Sequence, residues 1–165
     1  MGTGSTLYRI VLLAHVTVAI VGFGGLMANG IANARAFHAP AIQAVTLLRS
    51  SQAVAKVAEY SIYGVLALGI VLVAISDSAF SFGAIWVSAA FLVWGAIIGV
   101  THGMVRPSVR GLVQRAESLS ATIPGPILET DAEAAGLGRR LAIGEGLIQV
   151  LLLVALYLMV WQPGN

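Results

Sequence analysis

Apolar positions gather into four long runs, separated by stretches rich in polar and charged residues. Lipid admits only helices or closed barrels as spanning structures, and a helix needs about 20 mainly apolar residues to cross the bilayer core. None of the runs alternates like a barrel strand. The pattern therefore predicts an all-α fold, an integral membrane four-helix bundle. The predicted helices cover residues 7–32, 60–76, 82–104 and 141–161.

Composition supports a membrane protein with one transmembrane domain over residues 1–165. The chain is 58% hydrophobic and 10% charged, whereas soluble domains carry about 25% charged residues. We therefore expect the lipid bilayer to be its main partner. No basic run is interleaved with aromatic residues, which argues against a nucleic-acid partner. The absence of cysteine excludes disulfides, thiolate metal sites and cysteine nucleophiles.

The basic residues are distributed asymmetrically and predict the topology. Eight of the nine lie in two connections, residues 33–59 and residues 105–140, and only Arg9 lies near the N-terminus. The positive-inside rule places both connections in the cytoplasm and both termini outside. We therefore predict a multi-pass protein of the bacterial cytoplasmic membrane.

Both connections contain more than linker sequence. In residues 39–60, apolar positions at helical spacing leave two interpretations open: a helix lying in the membrane interface or an early start of the second helix. In the later connection, Pro107 and the Pro-Gly-Pro of residues 124–126 predict breaks in any continuous helix. A short helix over residues 108–119 is expected, and Thr130 or Asp131 is predicted to cap the helix that continues into the fourth run.

The N-terminal region carries two processing patterns. Residues 31–37 resemble a signal-peptidase site, but the apolar run before them is too long for a signal peptide. Residues 1–6 fit a myristoylation pattern, which requires a cytoplasmic N-terminus. Because the charge distribution places this terminus outside, we expect neither modification.

A histidine interrupts the first apolar run. On a helix, residues close to multiples of 3.6 apart share a face, and five side chains fall within an arc of about 80°. Small residues let helices approach closely in lipid, so we expect this face to point into the bundle. Tyr157 or Gln149 is the predicted hydrogen-bond partner of the imidazole. The five are His15, Gly22, Gly25, Asn29 and Asn33.

Ligation by His15 is the alternative interpretation. Imidazole binds haem iron, copper and zinc, and haem b is the candidate cofactor. His102, however, lies about 15 Å away along the membrane normal, by the rise per helical residue, and His38 lies outside the apolar runs. Copper prefers several His or Met ligands together, and the methionines do not cluster at His15.

Further polar and small residues occur in the other helices. Gly95, Gly99 and Gly103 form a double G-x-x-x-G, which predicts close helix packing. Six polar residues near the basic connections are expected to converge into one inner cluster. Such a cluster is either a structural ion-pair network or, through His102, Glu145 and Glu59, a site of proton-coupled transport. The six are Asn29, Glu59, His102, Arg106, Glu145 and Gln149.

Four stretches carry a resemblance to a known family. They are the early histidine followed by GFGG (22–25), WVSAAFLVWG (86–95), RPSVRGLVQRAE (106–117) and the terminal LMVWQPGN (158–165). Over nearly its whole length the chain resembles the actinobacterial integral-membrane family called domain of unknown function 2269. The resemblance implies a four-helix membrane protein and no particular reaction. Gln162 departs from the family's ending, where lysine is common.

A fainter likeness, on His15 and the glycines that follow it, runs to the four-helix copper-resistance and protoporphyrinogen-oxidase-like membrane families. No G-x-S-x-G, H-E-x-x-H or phosphate-loop motif is present, so we predict no catalytic residues. The predicted function is a non-catalytic scaffold, an accessory subunit of a larger membrane complex, or a small homo-oligomer. The alternatives are haem or metal binding through His15 and proton-coupled transport of a small solute.

Overall fold

The computed structural model describes residues 2–77, 79–119, 126 and 131–164, and every structural statement below concerns these residues. α3 (Ile85–Val100) continues through a π-helical segment (the π-segment, Thr101–Val105) into α4 (Arg106–Leu119), so that Ile85–Leu119 forms one long helix, which we call the rod. Together with α1 (Thr6–Phe37), α2 (Ala41–Ala74) and α5 (Ala132–Trp161), the rod makes four helices that are long and apolar enough to cross a membrane. The all-helical, four-helix prediction is confirmed.

The two ends of the bundle differ in chemistry. We call one the basic end, since it holds residues 33–59, 105–119 and 131–140 with eight of the nine basic side chains. The other is the terminal end, where Gly2 lies beside Asp77 of the α2–α3 turn and Gly164 lies beside Ile85. The chain termini and this turn therefore share one end, as antiparallel helical hairpins require.

The helices run well past the predicted spans, mostly at the basic end. α1 ends at Phe37, α2 begins at Ala41 and α5 begins at Ala132, so most of the two connections is helical. For residues 39–60, the structure shows the early start of the second helix. The cause is packing, because Ala44 and Leu48 of α2 are buried in the same core as Leu112 of α4.

Pro107 does not break the helix, so this prediction is wrong. Proline lacks an N–H and leaves the carbonyl four residues earlier, here that of Gly103, without its helical donor. The chain widens locally, with the Arg106 N–H donating to the Thr101 carbonyl five residues back. Arg140 of α5 donates to the Gly103 oxygen at 2.7 Å. A wider helical turn and a hydrogen bond from a side chain of another helix together accommodate the proline.

The predicted cap of the last helix is confirmed for Asp131. Its Oδ1 accepts from the Ala134 N–H at 2.8 Å, which satisfies one of the free donors at a helix start. Thr130 and residues 124 and 125 lie outside the described residues. Pro126 pairs with Pro40 at the α1–α2 connection.

Glycines on the predicted interior face of α1 allow close contact with α2. A Cβ added at Gly22 would lie 2.9 Å from the Ser61 Cβ, and one at Gly25 would lie 3.3 Å from the Ala58 Cβ. Asn29 and Asn33 on the same face are 4% and 0% exposed. The small, polar face of α1 therefore points into the bundle, as its spacing predicted.

The double G-x-x-x-G of α3 behaves differently. A Cβ added at Gly95, Gly99 or Gly103 would meet no atom within 4 Å, so within the described chain this face packs against nothing. The predicted close packing of these glycines is absent from the single chain. Close contact between the rod and α5 instead occurs at Gly144, where an added Cβ would lie 3.0 Å from Val105 Cγ2.

Two separate clusters form the apolar core. The larger extends from the basic end to the middle of the bundle and includes Ala36, Leu112 and Leu152. The smaller lies at the terminal end and includes Trp86 and Leu158. In the most apolar stretch of each membrane-length helix, 6% of residues are buried for α1, against 28% for α2 and α5 and 33% for the rod. α1 is thus the least covered helix.

Candidate functional site

A cavity of about 390 Å³ lies in the terminal half of the bundle. It is lined by residues within 8–23 of α1, 65–73 of α2, 86–94 of α3 and 155–159 of α5, and it opens to the outer surface beside exposed side chains such as Ile20 and Leu156. Its volume is within the range of about 300–1,000 Å³ that is typical of small-molecule sites. No charged side chain of the described chain lines it, so its interior suits an uncharged molecule.

Both bulky aromatic rings and small residues line this cavity, which we call the aromatic cavity. Phe23 of α1 stacks on Trp94 of α3 with ring centroids 6.5 Å apart, and Phe80 meets Trp86 edge-on at 5.5 Å. Small residues on other walls, such as Gly69 of α2, fill little of the space between the helices. The rings separate the helices while the small residues leave the volume open.

His15 lies on the α1 wall of the aromatic cavity, facing α2. Its Cε1 is 3.4 Å from the place that a Gly69 Cβ would take, so an alanine there would touch the ring at ordinary van der Waals distance. The Nδ1 of His15 is buried and makes no hydrogen bond of standard geometry, although the Val65 backbone of α2 lies close to the imidazole. The predicted bond to Tyr157 or Gln149 is not formed. Tyr157 is half exposed and stacks on Trp161 at 5.2 Å.

Trp86, which also lines the cavity, carries a second unpartnered polar atom. The residue is 6% exposed, and its buried Nε1 has no acceptor. The indole N–H can only donate, and buried polar atoms without partners are rare in proteins. Sequence reasoning missed Trp86. The available signal was a tryptophan at the start of the third run, at the same end of the bundle as His15.

The predicted inner cluster divides into two groups, and the first joins α2 to the rod. Glu59 Oε1 lies 3.3 Å from His102 Nε2 and 3.4 Å from the Arg106 guanidinium. His102 Nδ1 lies 3.0 Å from the Ile98 carbonyl, which can only accept, so Nδ1 carries a proton. Nε2 then either accepts from the Tyr63 hydroxyl at 3.4 Å or, when protonated, donates to Glu59.

The second group joins α1, α2 and α5. Asn33 donates through Nδ2 to Glu145 Oε1 at 2.7 Å, and the Ser51 hydroxyl donates to Asn33 Oδ1 at 2.9 Å. Within the described ranges no cationic side chain lies at ion-pair distance from Glu145, whereas Arg106 lies 3.4 Å from Glu59. The sequence analysis did not include Ser51 in the cluster. The second membrane span was predicted to begin at residue 60, so a serine at position 51 gave no signal.

Two of the six predicted residues join neither group. Asn29 is buried and its Oδ1 has no partner, and Gln149 is half buried on α5. Across the described segments, no hydrogen bond or ion pair connects the Glu59 group to the Glu145 group. The same part of the chain contains no group of three or more His, Asp or Glu side chains placed to hold a metal ion.

Ion pairs fix the helical extensions at the basic end. Arg115 of α4 lies 2.6 Å from Asp131 and 3.4 Å from Glu133, and Arg49 of α2 lies 2.7 Å from Glu117. The hydrogen bond from Arg115, followed by that from the Ala134 N–H, lowers the pKa of Asp131 below its ordinary value. The carboxylate thus stays charged where it caps α5.

Comparison with known proteins adds no assignment. No family model, curated protein or solved structure matches this sequence. The resemblance to domain of unknown function 2269 stays a prediction, and the proposals below depend on the geometry of the chain itself.

Proposed function

We propose that this protein is a multi-pass integral membrane protein that binds a small lipophilic molecule in the aromatic cavity without catalysing a reaction. The observation that carries the proposal is the cavity itself, which is apolar, uncharged and lined by His15 and Trp86, each of which carries a buried polar atom without a hydrogen bond of standard geometry. Concave apolar sites with a few converging polar groups are the usual form of ligand pockets. The proposal keeps the non-catalytic role expected from the sequence and adds a ligand.

Insertion in a membrane is supported by the outer surface of the bundle. Large apolar side chains face outward along the helices, among them Leu13, Leu92 and Leu153 at 69%, 76% and 67% exposure. Aromatic side chains favour membrane interfaces, and Trp161 and Tyr157 lie exposed near the terminal end. We place the basic end in the cytoplasm of a bacterium, following the positive-inside rule.

Cysteine labelling tests this orientation, since the chain has no cysteine of its own. Thr3→Cys is at the terminal end and Ser118→Cys at the basic end, and both positions are exposed. With a membrane-impermeant maleimide, we expect Thr3→Cys to react in intact cells and Ser118→Cys only after permeabilisation. The opposite pattern would reverse the orientation.

Haem b is the second candidate for the cavity, favoured by the unpartnered Nδ1 of His15. The site would offer His15 as one axial ligand, and Met159 also lines the cavity. Haem carries two carboxylates, however, and no cationic side chain lines this cavity within the described residues. A neutral ligand therefore fits the chemistry better, and an absorption spectrum of the purified protein distinguishes the two.

The outward double G-x-x-x-G supports a further part of the proposal, that the protein associates with a second copy or another membrane protein. Gly95, Gly99 and Gly103 leave room for a helix backbone on the outer face of α3. Proton-coupled transport stays a prediction, because Glu59 and His102 belong to one polar group and Glu145 to the other.

Fluorine labelling tests ligand binding. The chain has three tryptophans, so 5-fluorotryptophan gives three ¹⁹F resonances, which single Trp→Phe variants assign. In nanodiscs, we expect 2-methylnaphthalene to shift the signals of Trp86 and Trp94, which line the cavity. The signal of Trp161, which is 68% exposed, should show only the change that probe dissolved in the surrounding lipid causes.

Two alanines of α3 provide the matched control. Ala90→Leu adds three carbon atoms to the cavity and should weaken the shifts, whereas Ala96→Leu makes the same change on the exposed side of α3 and should preserve them. Unmoved Trp86 and Trp94 signals in the wild type, or equal binding by Ala90→Leu, would contradict the proposal.

A further inference from the structure

We infer that the aromatic cavity selects an uncharged, planar molecule carrying a carbonyl oxygen, the chemistry of a quinone, and that Trp86 Nε1–H donates to that oxygen. This inference rests on the proposed function, since it names the chemical class of the ligand. It depends on three properties of the cavity: the buried indole donor of Trp86, the half-buried imidazole of His15, and aromatic walls without charge, with Tyr8 and Gln162 as the other polar lining residues.

The donor is the indole of Trp86. The side chain is 6% exposed and its Nε1 is buried without a partner, while the residue itself lines the cavity. An indole N–H has no accepting capacity, so the group that satisfies it must supply an oxygen or another acceptor. A pure hydrocarbon leaves this donor unsatisfied, which is unfavourable in an apolar environment.

The imidazole of His15 supplies a second polar point on a different wall. Its Nδ1 is buried and unpartnered, and a neutral imidazole offers one donor and one acceptor. A ring with oxygen atoms on both sides can place one oxygen near Trp86 on α3 and the other near His15 on α1. A single terminal hydroxyl or carbonyl reaches only one of these points.

The walls favour a flat, neutral ring. Phe23 and Trp94 form a stacked pair at 27° between ring planes, and Phe91 also lines the cavity. Aromatic faces prefer offset stacking with another ring. The lack of charged side chains in the described lining disfavours a fatty acid carboxylate or a phosphate, because buried charges require partners.

A pair of probes isolates the role of the carbonyl oxygens. Menadione and 2-methylnaphthalene share a fused ring and a methyl group, and differ by two carbonyl oxygens. Menadione reacts with thiols, but this chain has no cysteine, so reversible binding can be measured. Equilibrium dialysis against nanodiscs with and without protein corrects both probes for partition into lipid.

The expected results follow from one hydrogen bond. After correction, we expect menadione to bind the wild type about tenfold more tightly than 2-methylnaphthalene. Trp86→Phe keeps an aromatic ring and removes the N–H, so it should weaken menadione about five- to tenfold. It should leave 2-methylnaphthalene within about twofold, a change small against one hydrogen bond. Trp161→Phe, outside the cavity, should change neither affinity.

A second measurement needs no substitution in the cavity. In the ¹H–¹⁵N spectrum of the wild type, menadione should move the Trp86 indole proton downfield, and 2-methylnaphthalene should not. If Trp86→Phe retains the menadione preference, or the indole proton responds equally to both probes, the carbonyl assignment is overturned while the cavity still binds ligands. If neither probe binds, the proposed function fails as well.

Discussion

In the half of the bundle near the basic end, buried polar groups are bonded across helices. Asn33, with no exposed surface, connects Ser51 of α2 to Glu145 of α5. In the half near the terminal end, His15 and Trp86 keep buried polar atoms without partners, next to a cavity of about 390 Å³. One chain thus contains a closely packed half and an open half, although Asn29 Oδ1 and Ser108 Oγ in the closely packed half also lack partners.

This difference gives the two halves different roles: the basic half stabilises the fold, and the terminal half provides the proposed binding site. Buried polar atoms are costly unless they are hydrogen-bonded, so the bonded groups in the basic half favour one arrangement of the helices. Unsatisfied atoms and unfilled volume in the terminal half reduce stability, and they persist because the rest of the bundle holds the helices in place. Sequences that break local rules commonly do so at functional sites, and only at the aromatic cavity do unpartnered polar atoms of the described residues occur together with unfilled volume.

The largest expected effect comes from adding the same volume to each half. Gly144→Val and Ala90→Leu each add three carbon atoms. In the basic half, the new Cβ at Gly144 would lie 3.0 Å from Val105 and 3.4 Å from Met104, so we expect a loss of about 3 kcal/mol in unfolding free energy. At Ala90, the added carbons enter the cavity, and the change should stay within about 1 kcal/mol.

Unfolding in denaturant, with the protein in mixed micelles, measures both values. Gly146→Val is the control, since an added Cβ there meets no atom within 4 Å and the variant reports only the helix propensity of valine. Equal losses for Gly144→Val and Ala90→Leu would show that the terminal half is as tightly packed as the basic half.

A smaller effect is expected from the side chain that compensates for Pro107. Arg140→Leu leaves the Gly103 carbonyl without a donor, and we expect a loss of about 1 kcal/mol, the net value of one hydrogen bond. In a Pro107→Ala background the restored N–H bonds the helix itself, so the same substitution should cost less. Double-mutant unfolding measures this coupling, expected at about 0.5–1 kcal/mol.

Arg139→Leu is the matched control for Arg140. Arg139 is the neighbouring exposed arginine, and its replacement removes the same charge without affecting Gly103. If both arginines cost the same, the bond to the Gly103 carbonyl contributes nothing and the π-segment alone accommodates the proline.

Sequence patterns predicted the parts of this fold that depend on neighbours along one helix. The periodicity of α1 correctly placed Gly22, Gly25 and Asn33 on its interior face, because residues near multiples of 3.6 apart share a face. The same small-residue logic placed Gly95 in a packed interface, and this glycine faces outward. A G-x-x-x-G motif shows that a helix can be approached closely, but not on which side its neighbour lies.

The other features depend on residues far apart in the chain. Pro107 is tolerated because Arg140 reaches Gly103 across the bundle, a contact with no local signature. Trp86 went unnoticed because a tryptophan becomes a candidate binding residue only when its N–H lacks a partner in the folded chain. The cavity likewise results from four helices packing unequally, which no single helix encodes.

The smallest expected effect tests whether the two halves respond separately to pH. Arg115 and the Ala134 N–H lower the pKa of Asp131 in the folded protein, so its contribution to stability is fully present above the unfolded pKa of about 3.9. It is lost as the pH falls through the lower folded value, because the folded state must then take up a proton that the unfolded state already binds.

Comparing unfolding at pH 6 and pH 3 measures this loss, and its size is limited by the uptake of one proton. Asp131→Asn keeps an acceptor for the Ala134 N–H and removes the charge, so its stability should change less between these pH values than that of the wild type. Binding of menadione at pH 6, followed by the ¹⁹F signal of Trp86, should be the same for Asp131→Asn and the wild type, because Asp131 does not line the cavity. If Asp131→Asn alters menadione affinity at pH 6, the basic end and the aromatic cavity are energetically coupled, and the division of the bundle into a stabilising half and a binding half is wrong.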